Sequence, residues 1–159
     1  MSSPNNNDFT VKFANVNGTG SSSANGMFMK SIFRMGIPVV GKNYFPSNIQ
    51  GLPTWYEVRV NENGYLAPSG SIHIMVAMNA QTYEEDLNSI ESGGYLIYDS
   101  SWPRETLMTR DDITVLGVPL AKMCNEAFDT ARSRTLMKNT AYVGVLAALL
   151  EMDMKVIEQ

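Results

Sequence analysis

At 159 residues the chain is long enough for one domain that buries a core without disulfides or metal. A hydrophobic fraction of 44% with 18% charged residues is globular, and a net charge of −4 argues against general nucleic-acid binding. No run is apolar and long enough for a membrane span, the polar start lacks a basic-then-apolar signal pattern, and the single Cys124 and single His73 exclude an internal disulfide and a Cys/His metal site, so the chain reads as cytoplasmic.

In chain order, residues 1–8 read as a disordered leader and residues 9–159 as one domain. Residues 9–16 are apolar-rich and predict a short strand. Residues 17–23 (N-G-T-G-S-S-S) predict a turn. Residues 24–35 place Met27, Phe28, Ile32, Phe33 and Met35 on a helical stripe, with Gly36 at C′ and Pro38 barring continuation. Residues 37–44 predict a second strand, giving a β-α-β crossover whose strands run parallel.

Residues 45–53 (F-P-S-N-I-Q-G-L-P) form a loop, 54–60 (T-W-Y-E-V-R-V) alternate as a strand, and 61–64 (N-E-N-G) signal a turn. Residues 71–78 predict a buried strand and 81–91 a short helix capped by Thr82 or Asn79. Strands follow at 94–98 and 112–118, then a helix at 119–128 with Pro119 in its first turn. Residues 135–150 are the strongest helix, apolar on most sides and therefore expected to be buried. Asp153 reads as the N-cap of a further helix, which suggests one domain of a longer polypeptide or a truncated subunit. Strands alternating with helices predict a layered α/β fold with no internal repeat.

The turn carries the chemistry. A helix start presents unpaired N–H groups and partial positive charge, so an anion at Ser21, Ser22, Ser23 and Asn25 is physically natural. Gly18 and Gly20 permit close backbone approach, and Thr19 adds a hydroxyl. The spacing is not that of a Walker loop, and no Lys-Ser/Thr follows. Nor is it a good NAD fingerprint, which wants a carboxylate after the second strand. That strand ends G-K-N-Y, and Lys42 there suits a phosphorylated ribose, as in NADP or coenzyme A. Residues 9–56 contain Lys12, Lys30, Arg34 and Lys42 but no Asp or Glu, so this third favours an anionic ligand. The competing reading is an ordinary β-α turn whose serines cap the helix.

Other candidates read as structural. His73 in an apolar strand is expected to be a satisfied core residue, and Cys124 on an amphipathic helix to pack. Glu84, Glu85 and Asp86 read as a solvated helix face with acids near its N-terminus. The eleven methionines read as adaptable packing. No Ser/His/Asp set and no cysteine cluster for iron–sulfur is present, so no catalytic or metal-ligating residue is assigned.

Two stretches together, V-N-G-T-G-S-S-S-A-N-G and K-N-Y-F-P-S-N-I-Q-G-L-P-T-W-Y-E-V-R-V, resemble the gamma-type domain of the 2-oxoacid:ferredoxin oxidoreductases. The resemblance is strongest to the N-terminal part of the alpha subunit of the 2-oxoglutarate enzyme. Gly18, Gly20, Asn25, Pro46, Ser47, Gly51, Val58 and Arg59 match the family pattern. The turn S-S-S-A-N replaces G-G-Q-G and is closer to that of the fused pyruvate enzymes, and Gln50-Gly51-Leu52-Pro53 replaces Arg-Gly-Gly. L-I-Y-D-S-S and the helix at 139–150 are also similar.

The resemblance implies a three-layer Rossmann-like domain with a mixed, mostly parallel sheet. It implies a part in an enzyme that decarboxylates a 2-oxoacid oxidatively on thiamine diphosphate, passes electrons through iron–sulfur clusters to ferredoxin, and forms an acyl-coenzyme A. Thiamine diphosphate, magnesium and the clusters are expected in partner domains or subunits, and the isolated chain is expected to be inactive. Coenzyme A is the ligand implied here, held by Gly18, Thr19, Gly20, Ser21, Ser22, Ser23 and Asn25, with Lys42 and Asn48 near. A stand-alone NADP- or flavin-binding module and a purely structural interaction domain remain as alternatives.

Overall fold

The structure is a computed structural model, and it describes residues 7–45, 49–103 and 110–158. Asn48, with Pro46, Ser47 and most of the expected leader, lies outside the described residues.

Six strands form one sheet in the order β2-β3-β1-β4-β5-β6: β1 Asp8–Val16, β2 Val39–Tyr44, β3 Pro53–Asn61, β4 Ile72–Ala77, β5 Ile90–Asp99 and β6 Thr114–Val118. The β1–β4, β4–β5 and β5–β6 pairs are parallel, and only β3 runs against its neighbours β1 and β2. The mixed, mostly parallel sheet is therefore present. One topological detail differs from the β-α-β reading. β1 and β2 point the same way but are not neighbours, because β3 is inserted between them. A loop of modest length returns the chain antiparallel at once, so the slot beside β1 is filled by the next strand. Asp8, read from the sequence as the last leader residue, opens β1, and its carboxylate meets Arg59 at 2.6 Å.

The period-two pattern of β1 decides the layers. Phe9, Val11 and Phe13 face the side carrying the helices α1 Ser21–Arg34, α3 Leu120–Ala127, α4 Ala131–Leu149 and α5 Met154–Ile157. Their partners include Phe28, Ile32, Leu120, Tyr142, Val143 and Leu146. Phe13 meets Phe28 edge-on at 5.6 Å and Tyr142 at 5.7 Å between ring centroids. Ala14, Met75, Ala77, Leu96 and Tyr98 face the other side, where α2 Tyr83–Ser89 docks through Tyr83 and Leu87. Among the described residues the three layers are thus four helices, the sheet, and one short helix.

Two expectations about helices change. α1 starts at Ser21, three residues earlier than the apolar stripe implied, because the serines form its first turn. α4 is not buried all round: Tyr142, Val143, Leu146 and Ala147 are buried, whereas Leu136 and Met137 are exposed. It lies on the sheet as an outer layer flanked by α3, so one stripe suffices. Asp153 does cap α5, accepting from Lys155 N at 3.0 Å. Among the described residues no helix is long and apolar enough to cross a membrane.

Candidate functional site

The turn leaves β1 at the end of the sheet where five of the six strands finish. Gly18 and Gly20 have φ of +88° and +77°, the left-handed region that side-chain-bearing residues avoid. Both positions are also crowded. A Cβ on Gly18 would stand 2.7 Å from Gln50 Cγ, and one on Gly20 would stand 2.6 Å from Leu136 Cδ2.

Bonds from both directions of the sequence hold the turn. Asn17 N donates to Leu52 O at 2.8 Å, Gly51 N to Asn17 O at 3.0 Å, and Asn17 Nδ2 to Ile49 O at 3.1 Å. These join the two sequence stretches into one wall. Thr19 Oγ1 donates to Val16 O at 2.8 Å. From α4, Asn139 Nδ2 donates to Thr19 O at 2.9 Å.

The start of α1 is uncapped. Gly20 precedes it, no side chain among the described residues accepts from its first-turn N–H groups, and that turn holds no acid. By contrast, Thr130 caps α4 by accepting from Ser133 N at 3.1 Å. Ser22 and Ser23 are exposed, while Ser21 is buried. The serines therefore make no side-chain cap of their own helix, which the reading of an ordinary capped turn required.

Asn25 sits elsewhere. It is buried, its Oδ1 accepts from Tyr142 Oη at 2.7 Å, and its Nδ2 donates to Asn15 Oδ1 at 3.3 Å. Asn79 Nδ2 donates to Asn15 O at 3.4 Å, which extends this polar chain across the sheet. Burial pushes the Tyr142 phenol well above its ordinary range. Asn25 thus supports the turn from beneath.

Lys42 is not brought to the turn. It stands opposite Glu57, which in turn stands opposite Lys12, on the sheet face away from α1. Its ammonium lies 4.9 Å from the centroid of the Tyr44 ring. A different cation stands across a cavity from the turn. Arg132 of α4, with Thr135 and Leu136, lines an open cavity of about 420 Å³ whose other wall is Gly18, Thr19 and Gly20. Arg132 is more than a hundred positions away and carries no local signal. Asn139 did carry one: it is a lone amide at the start of an apolar run.

The other singled-out residues have structural partners. Thr10 N donates to His73 Nδ1 at 3.0 Å, and His73 Nε2 lies 3.4 Å from Glu91, so this histidine is satisfied but half-exposed and not in the core. Cys124 is buried, and burial pushes its thiol up. Asp86 overturns the solvated-face reading. It is 1% exposed and accepts from Trp55 Nε1 at 2.9 Å and Thr82 Oγ1 at 2.7 Å, while burial raises its pKa. Glu84 and Glu85 are exposed as expected.

Comparison with known proteins agrees with this architecture. A family model described as pyruvate ferredoxin/flavodoxin oxidoreductase matches residues 10–159. The alpha subunit of 2-oxoacid:ferredoxin oxidoreductase 2 from Aeropyrum pernix is 27% identical over 124 residues, covering 77% of this chain and 19% of that protein. The chain therefore spans about a fifth of the length of that relative. Among solved structures, the 2-oxoglutarate:ferredoxin oxidoreductase of Magnetococcus marinus, with 2-oxoglutarate, coenzyme A and succinyl-CoA bound, superposes with a TM-score of 0.79 at 22% identity, covering 95% of this chain and 26% of that one. A pyruvate oxidoreductase subunit from Thermotoga maritima gives 0.76 at 15% identity, over 96% and 82% of the two chains. The gamma subunit of a keto/oxoacid ferredoxin oxidoreductase from Geobacter sulfurreducens gives 0.71 at 15%, over 94% and 82%. These likenesses establish the shared fold.

Proposed function

The chain belongs to the pyruvate ferredoxin/flavodoxin oxidoreductase family, and from that premise we propose that it is the gamma-type domain of a multisubunit 2-oxoacid:ferredoxin oxidoreductase that holds coenzyme A and helps assemble the complex. The whole enzyme, in this reading, converts a 2-oxoacid such as 2-oxoglutarate to its acyl-coenzyme A and delivers the electrons to ferredoxin. Thiamine diphosphate, magnesium and the iron–sulfur clusters belong to partner domains or subunits; one buried cysteine cannot supply the thiolates of a cluster.

The observation that carries the reading is the uncapped, acid-free start of α1 behind two left-handed glycines. Such a helix end has donors without acceptors and a field that favours negative charge. Ser22 and Ser23 add hydroxyls at its rim, and Thr19, whose own hydroxyl is donated to Val16 O, contributes backbone there. Gln50 and Gly51 close the opposite side through the contacts at Gly18 and Asn17. Asn48 is proposed to contribute an amide from the same loop. The bound coenzyme A would offer phosphates to these donors, and the chain itself supplies binding and orientation only.

Isothermal titration of the full chain with coenzyme A, NADP and flavin nucleotides tests this. Coenzyme A binding that disappears in Ser22→Glu, where a carboxylate replaces a neutral hydroxyl at the helix start, is the expected result. Binding of NADP or flavin without coenzyme A would instead make this a nucleotide module. No nucleotide binding, with tight capture of a thiamine-containing partner, would make it a structural domain.

A further inference from the structure

One hydrogen bond at the seam of β1 and β4 depends on a proton. The parallel register of these strands begins at Val11 and Ile74. One residue earlier on β1, Thr10 N donates to Nδ1 of the His73 imidazole at 3.0 Å. A side chain therefore serves this amide where a ladder would use a backbone carbonyl. Because Nδ1 accepts, the neutral ring carries its proton on Nε2. That nitrogen lies 3.4 Å from a carboxylate oxygen of Glu91. The His73 side chain is 35% exposed, so a proton reaches it from water without opening of the fold.

An irregularity of β5 carries Glu91 to this position. From Ile72 to Ile74 the β4 strand advances two residues, whereas β5 advances five, from Ile90 to Tyr95. Such an insertion bends the strand and re-aims its side chains. Gly93 within it has φ of +84°, and Gly93 N donates to Asp112 O at 2.7 Å. The other charges around the seam already have partners. Asp8 of β1, which lies within reach of the charge on His73, pairs with Arg59 of β3 at 2.6 Å. Arg110 pairs with Asp112, which also accepts from Ser92. Glu91 makes no ion pair other than that with His73 among the described residues.

An imidazolium donates from both nitrogens and accepts at neither, whichever way the ring is turned. Protonation therefore removes the acceptor of Thr10 N and strengthens the attraction between the ring and Glu91. We propose that His73 is a proton-operated latch: neutral, it ties the start of β1 to β4, and protonated, it gives up Thr10 N for an ion pair with Glu91. Histidine changes charge in mildly acid solution. There the first residues of β1 keep their antiparallel partners on β3 and lose this hold on β4. The latch lies at the opposite end of β1 from the glycine turn and is independent of any ligand there.

The chain has one histidine, so a single set of imidazole resonances reports its titration. Nuclear magnetic resonance of the full chain from about pH 8 to about pH 5 tests the latch. Above the titration the ring nitrogens should show the Nε2–H tautomer. Through it, the Thr10 amide should shift with the same midpoint as the ring. Its exchange protection, relative to that of the Leu96 amide at the sheet centre, should fall by about 3- to 10-fold, the size of one hydrogen bond. In His73→Asn, whose Oδ1 takes the place of Nδ1 and does not titrate, Thr10 protection should be independent of pH. Glu91→Gln should move the imidazole midpoint to lower pH. An Nδ1–H tautomer, a Thr10 amide unchanged across the titration, the same fall in His73→Asn, or an unmoved midpoint in Glu91→Gln would overturn the proposal. The parent alone decides the first two, should His73→Asn not fold.

Discussion

The side-chain amide of Asn139 reaches the carbonyl of Thr19 at 2.9 Å, across 120 positions of sequence. That carbonyl belongs to the peptide between the two left-handed glycines, so a residue of α4 sets the direction of the turn's backbone. Asn139 is buried. Asn139→Ala should therefore leave a carbonyl without its partner and lower the unfolding free energy by about 1–3 kcal/mol. Urea denaturation of the two proteins gives the comparison, and equal midpoints would show that the bond is replaced by water.

Gly20→Ala combines two costs. A residue with a Cβ resists the φ of +77°, by roughly 1–2 kcal/mol, and the new carbon meets Leu136 Cδ2. The second cost should fall when Leu136→Ala is made as well. A double-mutant cycle should show coupling of about 0.5–3 kcal/mol, with Gly20→Ala milder in the Leu136→Ala background. Zero coupling would assign the whole cost to the backbone.

Tyr142→Phe removes the donor to Asn25 Oδ1, and both residues are buried. A loss of about 1–3 kcal/mol is expected. The phenol also has an optical signature. Its folded pKa is raised above 10.0, so the unfolded chain ionises first as pH rises past that value, and stability declines there. In an alkaline difference spectrum the Tyr142 phenol should ionise only on unfolding, and Tyr142→Phe should lose that component.

Asp86 gives a pH dependence of unusual sign for a carboxylate. Burial raises its folded pKa above the ordinary 3.8, against the opposing bonds from Thr82 and Trp55 and the charge of Lys12. The folded state then holds its proton more tightly than the unfolded state does. This group's contribution is full below pH 3.8 and declines as pH rises through the folded pKa. Asp86→Asn keeps an acceptor for Trp55 Nε1 and cannot ionise. Its stability relative to the parent should rise between acid and neutral pH, followed by urea titrations at each pH. A constant difference would mean that Asp86 titrates alike in both states.

Much of the fold was legible because hydrophobic period and turn chemistry are local. The apolar run of β1, the alternation of β3, the stop at Gly36 and Pro38, and the cap at Asp153 each depend on a few neighbouring residues, whereas Thr82 starts α2 without a side-chain cap bond. The slot taken by β3 was not legible, since strand order is decided by pairing between distant segments. In the site, Gly18, Gly20 and the serines announced themselves as a run. Arg132 and the hydroxyl of Tyr142 did not, because their importance lies in what α4 faces after the chain has folded. Asp86 misled for the same reason. Beside two exposed glutamates it looks solvated, and its long-range partner, Trp55 on β3, is visible only after folding.

The bonds that shape the turn also set an order of completion during synthesis. Asn17 receives its partners from residues 49–52, and Thr19 receives its partner from Asn139. A nascent chain that has emerged only as far as α1 holds the glycines and serines but not the geometry that makes them a binding surface. Nothing on the ribosome shorter than Asn139 can close it. A ligand at the turn would therefore select chains in which this part has closed over their precursors, and its binding energy would report that α4 has docked.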